Sequence, residues 1–295
     1  MDIPLALKNA QNVLCFDTER SFLRTVTNPV FDFIKSASSS KDCSFSFRIQ
    51  NGNEQEYAQV QHGSNSAALS YGFSCQRNLP HILFDALSHA SGSVGKCHLL
   101  ANVPVGSDQY TLLSSNAFHT YSVQKLWWLD HIPPPASAGE CWNYAKDEHQ
   151  GLISSFYSRF ISPMESSLQS WNFSDVFHLV LNNPGGQCSG IARIRYFTDR
   201  AVVMPMLENG QSHQYELLGT LLREISRIFN TILISESIHH PLDTVFLDEH
   251  AHLLSGEEHF MVRNLTVLNP LKNFQNADFL EERGIAKPST PFSHP

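Results

Sequence analysis

Between residues 214 and 229, "QYELLGTLLREISRIF" places Leu217, Leu218, Leu221, Leu222, Ile225 and Ile228 at three- and four-residue intervals. That spacing predicts an amphipathic helix. The apolar run "AVVMPML" (201–207) precedes it and "TILISESI" (231–238) follows it; both have strand length and β-branched content. Upstream, "VFHLVLNN" (176–183) reads as a strand, "NPGGQ" (183–187) as a turn, and "CSGIARIRYF" (188–197) as a second strand, with Ile191, Ile194 and Tyr196 marking its apolar positions. Leu152, Ile153, Phe156, Tyr157 and Phe160 mark a helix that ends near Pro163. "LDTVFLDEHAHLL" (242–254) predicts a further helix, started by Asp243 after Pro241, and "EEHFMVRNLTVL" (257–268) a closing strand.

The first half carries the same order. "RSFLRTVTNPVFDFIKSA" (20–37) has helical character. "CSFSFRIQ" (43–50), "EYAQVQHG" (56–63) and "AALSYGF" (67–73) read as strands. "LPHILFDALSHA" (79–90) predicts a helix, "GKCHLLANVP" (95–104) a strand, "SDQYTLLSS" (107–115) a helix capped by Ser107, and "HTYSVQKLWWLD" (119–130) a last strand. Three strands followed by alternating helices and strands indicate a mixed α/β sheet. The order repeats at about 130 residues, which predicts an internal duplication. Three prolines in "DHIPPPASAGE" (130–140) mark the join. The expected division is 1–132, 133–272 and a Pro/Ser-rich tail at 273–295.

Composition narrows the function classes. The 295 residues are 42% hydrophobic and 16% charged, with a net charge of −8. Such a chain can bury a core. The absence of a basic run argues against nucleic acid and against an anionic membrane surface. No apolar run approaches the roughly 20 residues of a membrane helix, and "MDIPLALKNAQNVLCFDTER" does not resemble a leader peptide. The six cysteines are scattered without a C-x-x-C, which suits free thiols in a reducing cytoplasm.

The repeated order resembles the GCN5-related N-acetyltransferase fold, twice over. "SGIARIRYFTDRAVVMPML" (189–207) is similar to that family's central hairpin, "QYELLGTLLREIS" (214–226) to the helix after its cofactor loop, and "NTILISES" (230–237) to the strand that splays from the hairpin. "SDQYTLLSSNAFHTYSVQKLWW" (107–128) resembles the family's last helix and closing strand, with Asn116-Ala117-Phe118 where Gly-Phe is usual. The resemblance implies a tandem protein with a degenerate N-terminal copy. It also implies acetyl-CoA as cosubstrate, a small-molecule amine as acceptor, and cofactor binding in the C-terminal copy. Whether the protein forms a homodimer is left open.

The family's phosphate signature is Arg/Gln-x-x-Gly-x-Gly/Ala, whose glycines admit the pyrophosphate to a helix N-terminus. Here "LENGQSHQYELLG" (207–219) has only Gly210 and Gly219, at another spacing, and Glu208 would repel a phosphate. In the first half, "YGFSCQRNLPHILFDAL" (71–87) keeps Gln76 and Arg77 but lacks the glycines, and Pro80 removes a donor. Two readings of the second loop stand. In one, Asn209, Gly210, Gln211, Ser212 and His213 form a non-standard cradle, with Met204 or Met206 offering a backbone N–H to the thioester carbonyl. In the other, the loop has lost phosphate binding and the tandem fold is a silent scaffold. A changed acyl donor is a third reading.

Acyl transfer needs a neutral amine, an oxyanion donor and a proton for the leaving thiolate. The family's tyrosine acid stands four residues before a glycine; taking Gly256 as that glycine, the position holds His252. Glu208 and Glu236 are candidate bases at strand ends. His239, His240, Asp248, Glu249, His250 and His252 are metal-ligand types. On a helix, though, His250 and His252 would point about 200° apart, so a metal is not expected. Trp127 and Trp128, adjacent on one strand, should point to opposite faces, one into core and one to the interface of the halves.

Overall fold

A computed structural model describes residues 13–23, 44–51, 54–63, 66–74, 81–132, 142–161, 176–182, 187–208 and 213–265. These residues form one continuous mixed sheet of twelve strands and six α-helices. The strands are β1 (Val13–Cys15), β2 (Ser44–Asn51), β3 (Glu54–His62), β4 (Ser66–Ser74), β5 (His98–Pro104), β6 (His119–Leu129), β7 (Trp142–Tyr144), β8 (Val176–Asn182), β9 (Cys188–Phe197), β10 (Arg200–Leu207), β11 (Thr231–Ser237) and β12 (Ala251–Asn264). The helices are α1 (Thr18–Leu23), α2 (His81–Ser93), α3 (Asp108–Ser115), α4 (Gln150–Phe160), α5 (Gln214–Ser226) and α6 (Thr244–His250).

Spatial order along the sheet is β2-β3-β4-β5-β12-β6-β11-β10-β9-β8-β7, with β1 beside β4. The duplication is visible in the pairing. β4 lies parallel to β5, and β10 parallel to β11, at equivalent points of the two runs. The two closing strands are exchanged. β12 pairs with β5 of the first run, β6 pairs with β11 of the second, and β6 and β12 pair with each other.

Burial explains the elements. On one face of the second run, Leu217, Leu218, Leu221, Leu222 and Ile225 of α5 and Phe246 and Leu247 of α6 pack on Ala201, Val203, Ile232 and Ile234. On the other face, Ile153, Phe156 and Tyr157 of α4 pack on Val180, Ile191, Met204 and Met206. Ile191 and Ile194 therefore serve opposite faces of a strand buried on both sides. In the first run, Leu83, Phe84 and Leu87 of α2 and Leu113 of α3 cover Leu99, Ala101 and Val103. The cap of α3 is as expected: the Ser107 hydroxyl accepts from Tyr110 N. Asp243 caps α6, accepting from Phe246 N at 2.9 Å.

Some expectations are corrected. The helix expected over 242–254 stops at His250, and "AHLL" begins β12, because its backbone joins the ladder of β6 from Ala251↔Leu129 onward. Trp142–Tyr144, for which no element is expected, is a strand, and the helix marked by Leu152 to Phe160 runs over Gln150–Phe160. Leu152 and Ile228, assigned to apolar helix faces, are exposed. Residues 13–15, for which no element is expected, form a strand. Cys15, Cys97 and Cys188 are free thiols; Cys43, Cys75 and Cys141 lie outside the described residues.

Candidate functional site

β10 and β11 pair in parallel from Arg200↔Thr231 to Val203↔Ile234, and their pairing stops there. β10 stays paired with β9 to Leu207, while β11 stays paired with β6 to Ser237. The two strands therefore part over their last residues, just before β10 leads toward α5. Hydrogen-bond parity shows what lines the split. Glu208 N donates to Ser189 O, in register with the β9–β10 ladder. In an antiparallel ladder such pairs recur every second residue. Met204 and Met206 thus turn their N–H groups toward β9, and Pro205 and Leu207 face the split. Ile238 N donates to Val123 O in the β6–β11 register, so Ser237 N–H faces the split from the other lip.

Met204 and Met206 were the expected sources of an N–H for an acyl carbonyl, yet both are turned into the ladder. Pro205 has no N–H, and the Leu207 N–H is the one on this stretch of β10 that faces the split. Pro205 sits in a central strand without cost because the N–H it lacks would face an absent partner. Gly190, opposite Leu207 in β9, holds that position: a Cβ there would lie 2.8 Å from Leu207 Cδ2 and 3.3 Å from Trp142 Cη2.

The three carboxylate and histidine candidates are not brought together. Glu208 lies at the end of β10, but its carboxylate turns to the α4 side and pairs with Arg159 at 3.5 Å. It therefore points away from the α5 side, and the expected repulsion of a phosphate there does not follow. Glu236 is buried at the end of β11, where Oε2 accepts from Trp127 Nε1 at 2.8 Å and Oε1 from Leu242 N at 3.0 Å. Oε1 thus ties down the turn after β11, and Oε2 ties the strand end to β6. His252 stands on β12 rather than on a helix, exposed, in register with Trp128, which itself pairs with Leu233. Its Nδ1 lies 2.7 Å from Asp130 Oδ2, and its ring stacks on Trp128. β6 and β11 separate His252 from the split. Asn209, Gly210, Gln211 and Ser212 lie outside the described residues. His213 is the N-cap residue of α5, exposed, with Nδ1 3.5 Å from Glu216 Oε2. The two tryptophans diverge as expected: Trp127 packs against the α5–α6 core, and Trp128 against Phe22 of α1.

The matching split in the first half is different. β4 and β5 pair only over Ser66–Ala68 and His98–Leu100, and the chain's own residues enter beyond. β1 pairs with β4, Phe16 N donates to Ser70 O at 2.9 Å, and Asn102 N donates to Phe16 O at 2.8 Å. Where they leave the split, Arg195 of β9 meets Asp17 at 2.9 Å and Glu19 at 3.3 Å, all three buried. Burial raises the Asp17 pKa, but the Arg195 charge and hydrogen bonds and the Arg20 N–H outweigh it, and the carboxyl ends below its ordinary range. The short apolar run at 13–16 is the sequence's trace of this segment, and it does not by itself show which strands the run will lie between.

A GCN5-related N-acetyltransferase from Sphaerobacter thermophilus superposes with a TM-score of 0.50 at 9% identity, over 86% of this chain and 96% of that one. The chain has the GCN5-related N-acetyltransferase fold. A tandem protein of that kind from the clavulanic acid biosynthesis pathway matches over 88% of this chain and 99% of its own, at TM-score 0.44 and 11% identity. One from Kribbella flavida matches over 73% and 88%, at TM-score 0.47 and 10% identity. No family model matches the chain, and no curated protein does. In this acetyltransferase fold β10 and β11 part beyond Val203 and Ile234 with no described strand paired between them, while the split of the first half is filled by residues 13–17. Among the described residues no group of histidine, cysteine and carboxylate side chains is placed to hold a metal ion, and no helix is long and apolar enough to cross a membrane.

Proposed function

We propose that the protein is an acyl-CoA-dependent N-acyltransferase whose second half carries the reaction, with acetyl-CoA as donor and a small amine as acceptor. The carrying observation is the parting of β10 from β11 beyond Val203 and Ile234, immediately before α5. An extended acyl-thioester chain fits such a slot by backbone hydrogen bonds. The Leu207 N–H is the donor for the carbonyl oxygen as it becomes an oxyanion, and the start of α5 with residues 209–213 receives the phosphates. The amine attacks as the free base, the C–N bond forms, the C–S bond breaks, and the thiolate takes up a proton.

A silent-scaffold reading has its own support: Pro205 removes one donor from the slot, and both oxygens of Glu236 are engaged. Calorimetry with acetyl-CoA decides between the two. The transferase reading expects micromolar binding, lost in Gly210→Asp, and at least a few-fold tighter binding in Pro205→Ala, which restores a slot-facing N–H. Absence of binding up to millimolar acetyl-CoA in the unaltered protein ends this reading and leaves the scaffold.

A further inference from the structure

β1 occupies a different place from its repeat counterpart. In the second half the corresponding strand, β7, which likewise precedes its run's first helix, lies at the outer edge of the sheet beside β8, with Trp142↔Leu181 in register. β1 instead lies against β4, with Val13↔Phe73 and Cys15↔Tyr71 in register. Its continuation reaches β5 through the Asp17↔Asn102 bridge. A five-residue run, 13–17, thus lies in the first-half split, whereas no described strand pairs into the matching split of the second half.

Two features show that the fit is incomplete and that part of the hold comes from the second half. Phe16 is fully buried and meets Phe84 edge to face, so the apolar part of the slot is filled. The Asn102 side chain beside it is 5% exposed, yet neither its Oδ1 nor its Nδ2 has a hydrogen-bond partner. A buried amide with both groups unsatisfied is costly, and it suits an occupant that offers a donor and an acceptor there. Besides its backbone bonds to β4 and β5, the segment is held from the other half of the molecule. Arg195 reaches it from β9 through Asp17 Oδ1 at 3.0 Å, Asp17 Oδ2 at 2.9 Å and Glu19 Oε2 at 3.3 Å. Gln124 of β6 adds a contact to Glu19, and Thr18 bonds Glu258 of β12.

We propose that residues 13–17 are a tethered occupant of a second ligand slot, and that Arg195 is the latch that keeps them in it. The natural ligand of such a slot is an extended chain carrying amides, since Ser70 O accepts, Asn102 N donates, and the Asn102 side chain does both. Use of acetyl-CoA as the probe rests on the acyltransferase reading; the latch itself does not.

The test uses the full chain with Arg195→Met, and with Asp17→Asn as a milder second variant that keeps the hydrogen bond to Arg20 N. Amide hydrogen exchange reads the segment. The latch predicts at least tenfold faster exchange at Phe16 and Asn102, with Leu233 and Val203 unchanged. Acetyl-CoA stoichiometry by calorimetry then reads the slot, with one additional site expected in the variants. Unaltered exchange at Phe16 and Asn102, or equal acceleration throughout the sheet, overturns the latch. Local opening with no additional site overturns the slot. If the unaltered protein binds no acetyl-CoA and the variants bind one equivalent, the second-half reading fails while this proposal stands.

Discussion

Single residues set the local limits of this molecule. Gly190 is the clearest case, because the space for a side chain is already taken by Leu207 and Trp142. Gly190→Ala should destabilise the fold by about 1–3 kcal/mol through overpacking, read as a lower urea midpoint. It should also weaken acetyl-CoA binding more than a remote core change of equal cost, since Leu207 borders the slot. His62 and His178 should contribute to a loss of stability in mild acid. Burial is the main cause of their low pKa values of about 4, with Lys96 and Arg193 adding to it. Both imidazoles are neutral in the folded state, while in the unfolded chain they protonate near 6.5. Stability should therefore fall as pH drops from about 6.5 toward 4, by roughly 2–3 kcal/mol for each histidine. Urea unfolding at pH 7 and pH 5 checks this; His178→Gln should flatten the slope, and an unchanged slope would refute the assignment. The Asp17 contribution has the opposite origin: its depressed carboxyl pKa adds stability that is lost only in stronger acid.

At the level of elements, capping and ladder pairing outweigh the apolar period. Asp243 and Ser107 were readable as caps, and both accept the expected N–H. Asp243→Ala should cost about 1 kcal/mol, visible as a shift of the thermal midpoint; no shift would mean that packing of Phe246 alone holds α6. The end of α6 was not readable. "AHLL" continues a plausible helical pattern, but its backbone groups find partners across β6, and the ladder wins. His252 was placed by that false continuation, and with it went the geometry expected of an acid. Pro205, by contrast, was a usable sign. A proline inside a central strand marks a place where a ladder bond is missing, and here that place is the split.

For the whole molecule, the exchanged strands are the dominant fact. β12 is bordered by β5 and β6, and β11 is bordered on one side by β6. Residues 133–272 expressed alone would lack both neighbours of β12 and one neighbour of β11. Such edges are aggregation-prone, so this piece should be insoluble or molten alone and should gain cooperative unfolding when co-expressed with residues 1–132. A cooperative transition from 133–272 alone would show that the exchange is dispensable.

Local patterning in the chain determined most helices and strands, the mixed α/β class and the repetition of order, because burial faces and turn residues act over a few positions. The resemblance of residues 189–237 to the acetyltransferase hairpin, helix and splayed strand was legible for the same reason. Tertiary structure alone decided which strands are neighbours, which N–H faces a gap, and what fills it. Those outcomes depend on long-range pairing, as between Arg195 and Asp17 or β12 and β5, and a linear pattern carries the propensity of each segment but not the identity of its partner.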